Sequence, residues 1–513
     1  MADKKKDKVK KTKKFKLNKK NPKFSRYFLS LEFEDQEKLK SFFSALDDRL
    51  YVLGSDRKKI RYDFERAFVE YDSMGFSLEK ALELLDLSNL GGFYSRNPDF
   101  WLPLDEVGKS YTQFLDRNNM AVFREAFYLK ERIRPELLQM ALNFTIKRFP
   151  YFAMSVKNGL FWHYLDSIRR RFAVEKEGPL PVQRIPIAVS GSKSFRVLFY
   201  ENRLSVEFFH CLTDGTGAKE FLKSLTATYL KLLGKTIAPS ELVVDSNSMV
   251  NDDEFANGYL KVKRKNNPAG YINKRALQLS GPLSKNRPCR VLHFRINTQS
   301  LKDAAAKYGV GITPYVSTAI MFACKDAIDA VQGDVALILP VNMRKFIPSV
   351  TLRNLSLYTN IRRPIGEIRD FADLCIKNRD ELKEKVTKEN MVAMAEGTNG
   401  LMNNMRFLPL PLKVFGTRTL YSIFGDNVFT CPFSNLGKVE LPEDMAKEIT
   451  GMDFLLGTSF FHRAQVTGCA VNGITTLSIS KYTKDPSFEE RLYNILKNDG
   501  LDVAVEGSEY SGN

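Results

Sequence analysis

The chain is poor in the residues that build covalent and metal frameworks. Its 513 residues include six Cys, four His and two Trp. The cysteines are scattered, with no C-x-x-C pair and no zinc-like spacing, which argues against a disulfide framework and fits a reducing, cytoplasmic setting. The four histidines show no metal-ligand spacing either, so no metal site is expected. No run of roughly 18 or more apolar residues occurs, so no helix is expected to cross a membrane. No apolar stretch follows the N-terminal lysines, which excludes a secretory signal. Acidic residues are scarce in one place above all. Residues 1–26 hold two Asp against twelve Lys and one Arg, and so carry eleven of the eighteen net positive charges. Such a stretch has too little apolar surface to fold and is expected to be a disordered tail. Its second reading is weak contact with anionic headgroups at the inner face of a membrane. Because the charge is gathered in a tail and not interleaved with aromatics on a folded face, nucleic acid is not the expected partner.

What is abundant is apolar and aromatic. Hydrophobic residues make up 43% of the chain, with 38 Phe and 20 Tyr. That suffices for a sizeable core, and the length asks for two large halves plus additions. Residues 27–97 read as a helical N-terminal segment that includes DQEKLKSFFSALDDRL and SLEKALELLDLS, closed by Gly91-Gly92. AVFREAFYLKERI alternates as a strand with Phe123, Phe127 and Leu129 on one face, and Pro135 opens a helix. FRVLFY and LSVEFFH form a hairpin around Glu201-Asn202-Arg203. Residues 234–290 are polar and irregular, the expected crossover. Beyond it RVLHFRI, VALILPVNM, FTCPFSNLG and ITTLSISKYT read as strands. Ser300 is expected to cap LKDAAAKY, and Ser487 with Glu490 to form a capping box on the last helix. The alternation of RVLHFRI puts His293 with Arg295 on a solvent face, while His163 in GLFWHYLD reads as packing.

The densest information is in LSVEFFHCLTDGTGAKEFLKSLTATYL, residues 204–230. Leu204, Val206, Phe208 and His210 alternate onto one face. Ala218, Phe221, Leu222, Leu225 and Tyr229 then follow the helical period. A histidine thus ends a buried strand and faces inward just before a turn, where an imidazole is sheltered, oriented and suited to general-base work. The plain alternative is a core histidine, with Asp214 or Thr216 serving only as a helix cap. Cys211 points away from His210 and reads as a small buried side chain.

Three segments in order, HCLTDG at 210–215, LPVNMR at 339–344 and PFSNLG at 432–437, together resemble the chloramphenicol acetyltransferase-like superfamily. That group includes peptide-synthetase condensation domains, and the likeness is to its alcohol acetyltransferase branch. LPLDEVGKSY and RFPYF extend the likeness, which spans residues 98–505. The resemblance implies an α/β fold of two similar halves around a central channel: an N-terminal half over 98–265, a C-terminal half over 266–505 and a tail over 506–513. It implies acyl transfer from acyl-CoA, as co-substrate with no bound cofactor, to an alcohol, with His210 as general base and no covalent acyl-enzyme. It gives Asp214 a structural role opposite an arginine, for which Arg344 is the candidate. It further implies close backbone approach at Gly215, and oxyanion contacts from Ser434 and Asn435 whose plain alternative is a turn. Phe209 replaces the second His usual in condensation domains, and the plant D-F-G-W-G signature is absent. Transfer to an amine, a carrier-bound donor, and a catalytically silent binding protein on this fold remain alternatives.

Overall fold

Asn21 followed by Pro22 is a helix start in miniature: the Asn side chain accepts the Phe24 N–H, and proline needs no partner for its missing one. The helix it opens belongs to a computed structural model that describes residue 15 and residues 17–94, 100–113, 121–168, 170–186, 192–265, 274–416, 426–457 and 462–510. The chain divides into two units, residues 1–97 with 169–171 and residues 98–168 with 172–513. In the first unit four helices, α1 (Pro22–Ser30), α2 (Phe33–Arg49), α3 (Gly54–Ser73) and α4 (Leu78–Leu84), enclose a phenylalanine core. Phe24, Phe43, Phe64 and Phe68 are fully buried, with the rings of Phe24 and Phe43 edge-on at 5.4 Å. Arg171 closes this unit by a two-pronged ion pair with Asp63 at 2.6 Å. Most of the expected disordered tail, residues 1–14 and 16, lies outside the described residues. From Pro22 onward, however, the stretch is helical, because Phe24 gives it an apolar anchor.

The second unit is a two-lobed α/β body with three sheets among the described residues; strands are labelled in chain order. A small antiparallel sheet joins β1 (Trp101–Pro103), β4 (His163–Ser167) and β3 (Met154–Asn158), in that order. A five-stranded sheet runs β12 (Ile449–Leu456), β2 (Val122–Leu129), β7 (Arg203–Phe209), β6 (Phe195–Tyr200), β5 (Val174–Lys176). A seven-stranded sheet runs β10 (Ser356–Pro364), β9 (Asp334–Asn342), β11 (Cys431–Lys438), β13 (Ala464–Val471), β14 (Ile474–Lys481), β8 (Arg290–Asn297), β15 (Val503–Glu509). One strand of the five-stranded sheet therefore comes from the stretch expected to build only the C-terminal half.

The helices of this unit that bear on the site are α5 (Glu106–Gln113), α6 (Pro135–Thr145) and α7 (Gly215–Leu232), followed by α8 (Thr298–Lys307) and α9 (Ile312–Asp326). The two faces of the five-stranded sheet differ in kind. On one, Phe195 and Phe208 meet Phe221 of α7 at 5.3 and 5.9 Å between ring centres. On the other, Arg124 and Arg196 hold the buried Glu207 at 2.8 and 2.6 Å, and Tyr128 donates to Asp453 at 2.6 Å.

Four local expectations are corrected. Asn297, not Ser300, caps α8, accepting the Ser300 N–H. Asp485, not a Ser487–Glu490 box, takes the Ser487 N–H at the last helix. His293 is buried, not solvent-facing, because its face of β8 meets Asp453 and Ser478. Residues 506–509 are not tail but edge strand, paired with β8.

Candidate active site

Period-two alternation delivers His210 to the end of β7, and its N–H is tied to the Ala121 carbonyl at 2.7 Å. Tyr111 of α5 stacks on the imidazole with centroids 4.3 Å apart and planes within 19°, and Phe123 lies 4.8 Å away at a tilt. As a residue His210 is half-buried. Nδ1 is 3.1 Å from Asn354 Oδ1, and among the described residues Nε2 makes no side-chain hydrogen bond. Burial pushes the pKa below the ordinary histidine value. Hydrogen bonds to its own backbone, Asn354 and Thr213, together with the charge of Asp214, offset only part of this. The ring is therefore neutral at neutral pH, the state a general base needs.

Asp214 does two jobs. One oxygen caps α7, accepting from the Thr216 and Gly217 N–H groups at 3.1 and 3.2 Å. The other takes Arg344 Nη1 at 2.8 Å and the Leu355 N–H at 2.9 Å. Arg344 also donates to the carbonyls of Thr351 and Arg353 and to Asn342 Oδ1. Burying a carboxylate costs several kcal/mol unless it is paired and hydrogen-bonded, and this set of partners meets that cost. Cap and ion pair, the two alternatives for this residue, coexist.

Two glycines let the turn close. A Cβ on Gly215 would meet Leu436 at 2.6 Å and Glu125 Oε1 at 3.2 Å. A Cβ on Gly217 would meet the Leu352 carbonyl and Thr213 Oγ1, each at 2.2 Å. Leu436 thus brings the S-N-L-G loop onto the histidine turn. Within that loop, Asn435 Oδ1 accepts the Gly437 N–H at 2.9 Å and Asn435 Nδ2 faces Thr313 at 3.4 Å, while Ser434 is buried in β11. Cys211 is fully buried, and burial lifts its thiol well above the ordinary range, leaving a thiol and not a nucleophile.

Three features of the site were missed by sequence reasoning. The first is the segment 351–355, T-L-R-N-L, which grips the turn at three points: Leu352 O takes the Thr213 hydroxyl at 2.5 Å, Asn354 meets His210, and Leu355 N–H meets Asp214. It has no periodicity to give it away. The second is Asp105 of the LPLDEVG stretch. It is fully buried, accepts the Gly108 N–H at 2.7 Å and stands 3.5 Å from Arg353 Nε; burial lifts its pKa to about 6. The third is Glu125, fully buried with neither oxygen hydrogen-bonded, and its pKa raised well above the carboxylate range by burial. It lies beside Gly215. A charged residue in the apolar alternation of β2 was the available signal. His163 is buried with its pKa pulled down to about 4 by burial, and His462 is also buried.

No family model matches this sequence, and no curated protein does. Solved structures do match in shape. The trichothecene acetyltransferase TRI101 of F. sporotrichioides, complexed with coenzyme A and T-2, superposes with a TM-score of 0.54 at 13% identity, over 80% of this chain and 100% of its own. The TRI3 trichothecene 15-O-acetyltransferase of Fusarium sporotrichioides gives 0.51 at 11% identity, over 78% and 94%. The condensation domain of the monacolin K polyketide synthase MokA gives 0.50 at 11% identity, over 78% and 98%. At these identities the likeness is one of architecture: the chain has the fold shared by these acetyltransferases and condensation domains.

Proposed function

We propose that this chain is an acyltransferase that moves an acyl group, an acetyl group first among candidates, from acyl-CoA to the hydroxyl of an alcohol. The observation that carries the reading is a neutral, half-buried His210 whose Nδ1 is engaged by Asn354 and whose Nε2 meets no side-chain partner among the described residues. In the proposed reaction Nε2 takes the acceptor's hydroxyl proton as the oxygen forms a C–O bond to the thioester carbonyl. The tetrahedral oxyanion collapses with cleavage of C–S, and the departing thiolate recovers the proton from Nε2. Ser434 is the proposed oxyanion donor, since Asn435 is committed to its turn. Asp214, Arg344 and Gly215 shape the turn and touch no substrate. The Lys-rich first 26 residues support a peripheral, salt-sensitive contact with anionic membranes, separate from the chemistry.

The test is thiol release and product mass with a panel of acyl-CoAs, alcohols and amines. Acceptor-dependent release that falls about 100-fold or more in His210→Ala supports the reading. Equal rates in the variant remove His210 as the base, a preference for amines replaces the alcohol, and no transfer from any free acyl-CoA overturns the CoA donor.

A further inference from the structure

Around Asn354, whose Oδ1 lies 3.1 Å from His210 Nδ1, three buried polar atoms lack a hydrogen bond: Asn354 Nδ2 itself, and Asp105 Oδ2 and Arg353 Nε, which stand 3.5 Å apart. Their residues are at most 2% exposed. Arg353 is nevertheless well held at its other end, donating to the Phe255 and Pro103 carbonyls. The Asn354 amide lies beside the Asp105 carboxyl, and together with Arg353 and the Gly108 N–H it opposes the effect of burial there. Leaving polar atoms under-satisfied in a closed interior costs stability, so such a cluster asks for a reason.

The reason follows from what each group can donate. A primary amide has one accepting end and one donating end, and a carboxylate can only accept. Asp105 therefore turns the donating Nδ2 of Asn354 toward itself, and Oδ1 is left facing His210. A neutral imidazole has one N–H, and opposite an accepting oxygen that N–H must be on Nδ1. Tyr111 stacked on the ring and Phe123 at its side leave little room for the ring to escape this contact.

We propose that Asp105 and Asn354 are positioning residues for His210, the carboxylate fixing the direction of the amide and the amide oxygen holding the imidazole proton on Nδ1, so that Nε2 always presents its lone pair. The inference rests on the reading of His210 as the base. It differs from a packing role in what it predicts for the proton.

The test uses the full chain labelled with 15N-histidine, with the His210 resonances assigned by their loss in His210→Ala. Wild-type protein shows the Nδ1–H tautomer. Asn354→Leu and the near-isosteric Asp105→Asn shift His210 toward mixed tautomers and lower its pKa, since each removes support for the protonated ring. Asn354→Asp keeps an acceptor on Nδ1 and moves the pKa the other way. In steady-state assays kcat falls by at least about tenfold in Asn354→Leu with KM within about twofold, as expected when the base carries its proton on the wrong nitrogen. An unchanged tautomer and pKa in folded Asp105→Asn and Asn354→Leu overturns the proposal; if Asn354→Leu does not fold, Asp105→Asn decides alone. Loss of the tautomer in a chain that transfers no acyl group retains the positioning and overturns the acyltransferase reading instead.

Discussion

Two histidines on two strands invite comparison. His210 and His293 are both inward-facing, and burial lowers the pKa of both. Their partners differ. His293 has Ser478 Oγ at 2.8 Å from Nδ1 and Asp453 Oδ2 at 3.5 Å from Nε2, so protein occupies both nitrogens. His210 has Asn354 on Nδ1 and no side-chain partner on Nε2 among the described residues. A histidine engaged at both ends is a strut that ties one sheet to another. A histidine with a side-chain partner on Nδ1 alone, its ring clamped between Tyr111 and Phe123, is the one we propose as the base. Burial alone does not separate the two, and neither does strand position.

The sharpest way to break this distinction is to remove each ring. His210→Ala is expected to lower acyl transfer by about 10²–10⁴-fold with little change in Tm. If it unfolds the chain, His210 is a strut as well. Next in size is the ion pair that supports the turn. Arg344→Leu leaves Asp214 buried with an uncompensated charge and should cost about 3–5 kcal/mol, read from urea unfolding. His163 supplies a third case, buried with no hydrogen bond on Nδ1 among the described residues. Its folded pKa near 4 lies below the unfolded 6.5, so the unfolded chain binds the proton first and stability falls as pH drops from 6.5 to 4. His163→Phe should remove about 3 kcal/mol of that pH-dependent loss. Asp105, whose pKa is raised, acts in the opposite sense across part of the same window, so the difference between variant and wild type is the measurement. Smallest is His293→Ala, which should cost about 1–3 kcal/mol of stability while the folded fraction keeps its full rate. A loss of rate larger than the loss of folded protein would move His293 into the site.

The sequence was most legible where local rules act alone. The strand ending at His210 and the helix after it are written in two periods joined by a capping aspartate, and both rules are local. His293 was misread by the same rule. Its alternation with Leu292, Phe294 and Ile296 is real, but the polar face it predicts is covered by Asp453 and Ser478, which no periodicity in β8 encodes. The grip of residues 351–355 was illegible for a related reason: two of its contacts, at Leu352 and Leu355, use backbone atoms, and every residue has those. Asp105 looks in sequence like an ordinary surface acid, and only the tertiary fold removes it from water; Glu125 is betrayed only by sharing the apolar face of Phe123 and Phe127.

The strand β12 carries a consequence for synthesis. It covers the open side of β2, and the Tyr128–Asp453 hydrogen bond across that joint spans 325 positions of sequence. On a ribosome adding about 5–20 residues per second, β2 waits on the order of 15–65 s for its neighbour, with unpaired backbone groups along one edge. A nascent chain stopped before Ile449 would hold the histidine turn's own sheet unfinished and adhesive, so the first lobe to emerge is among the last to be sealed.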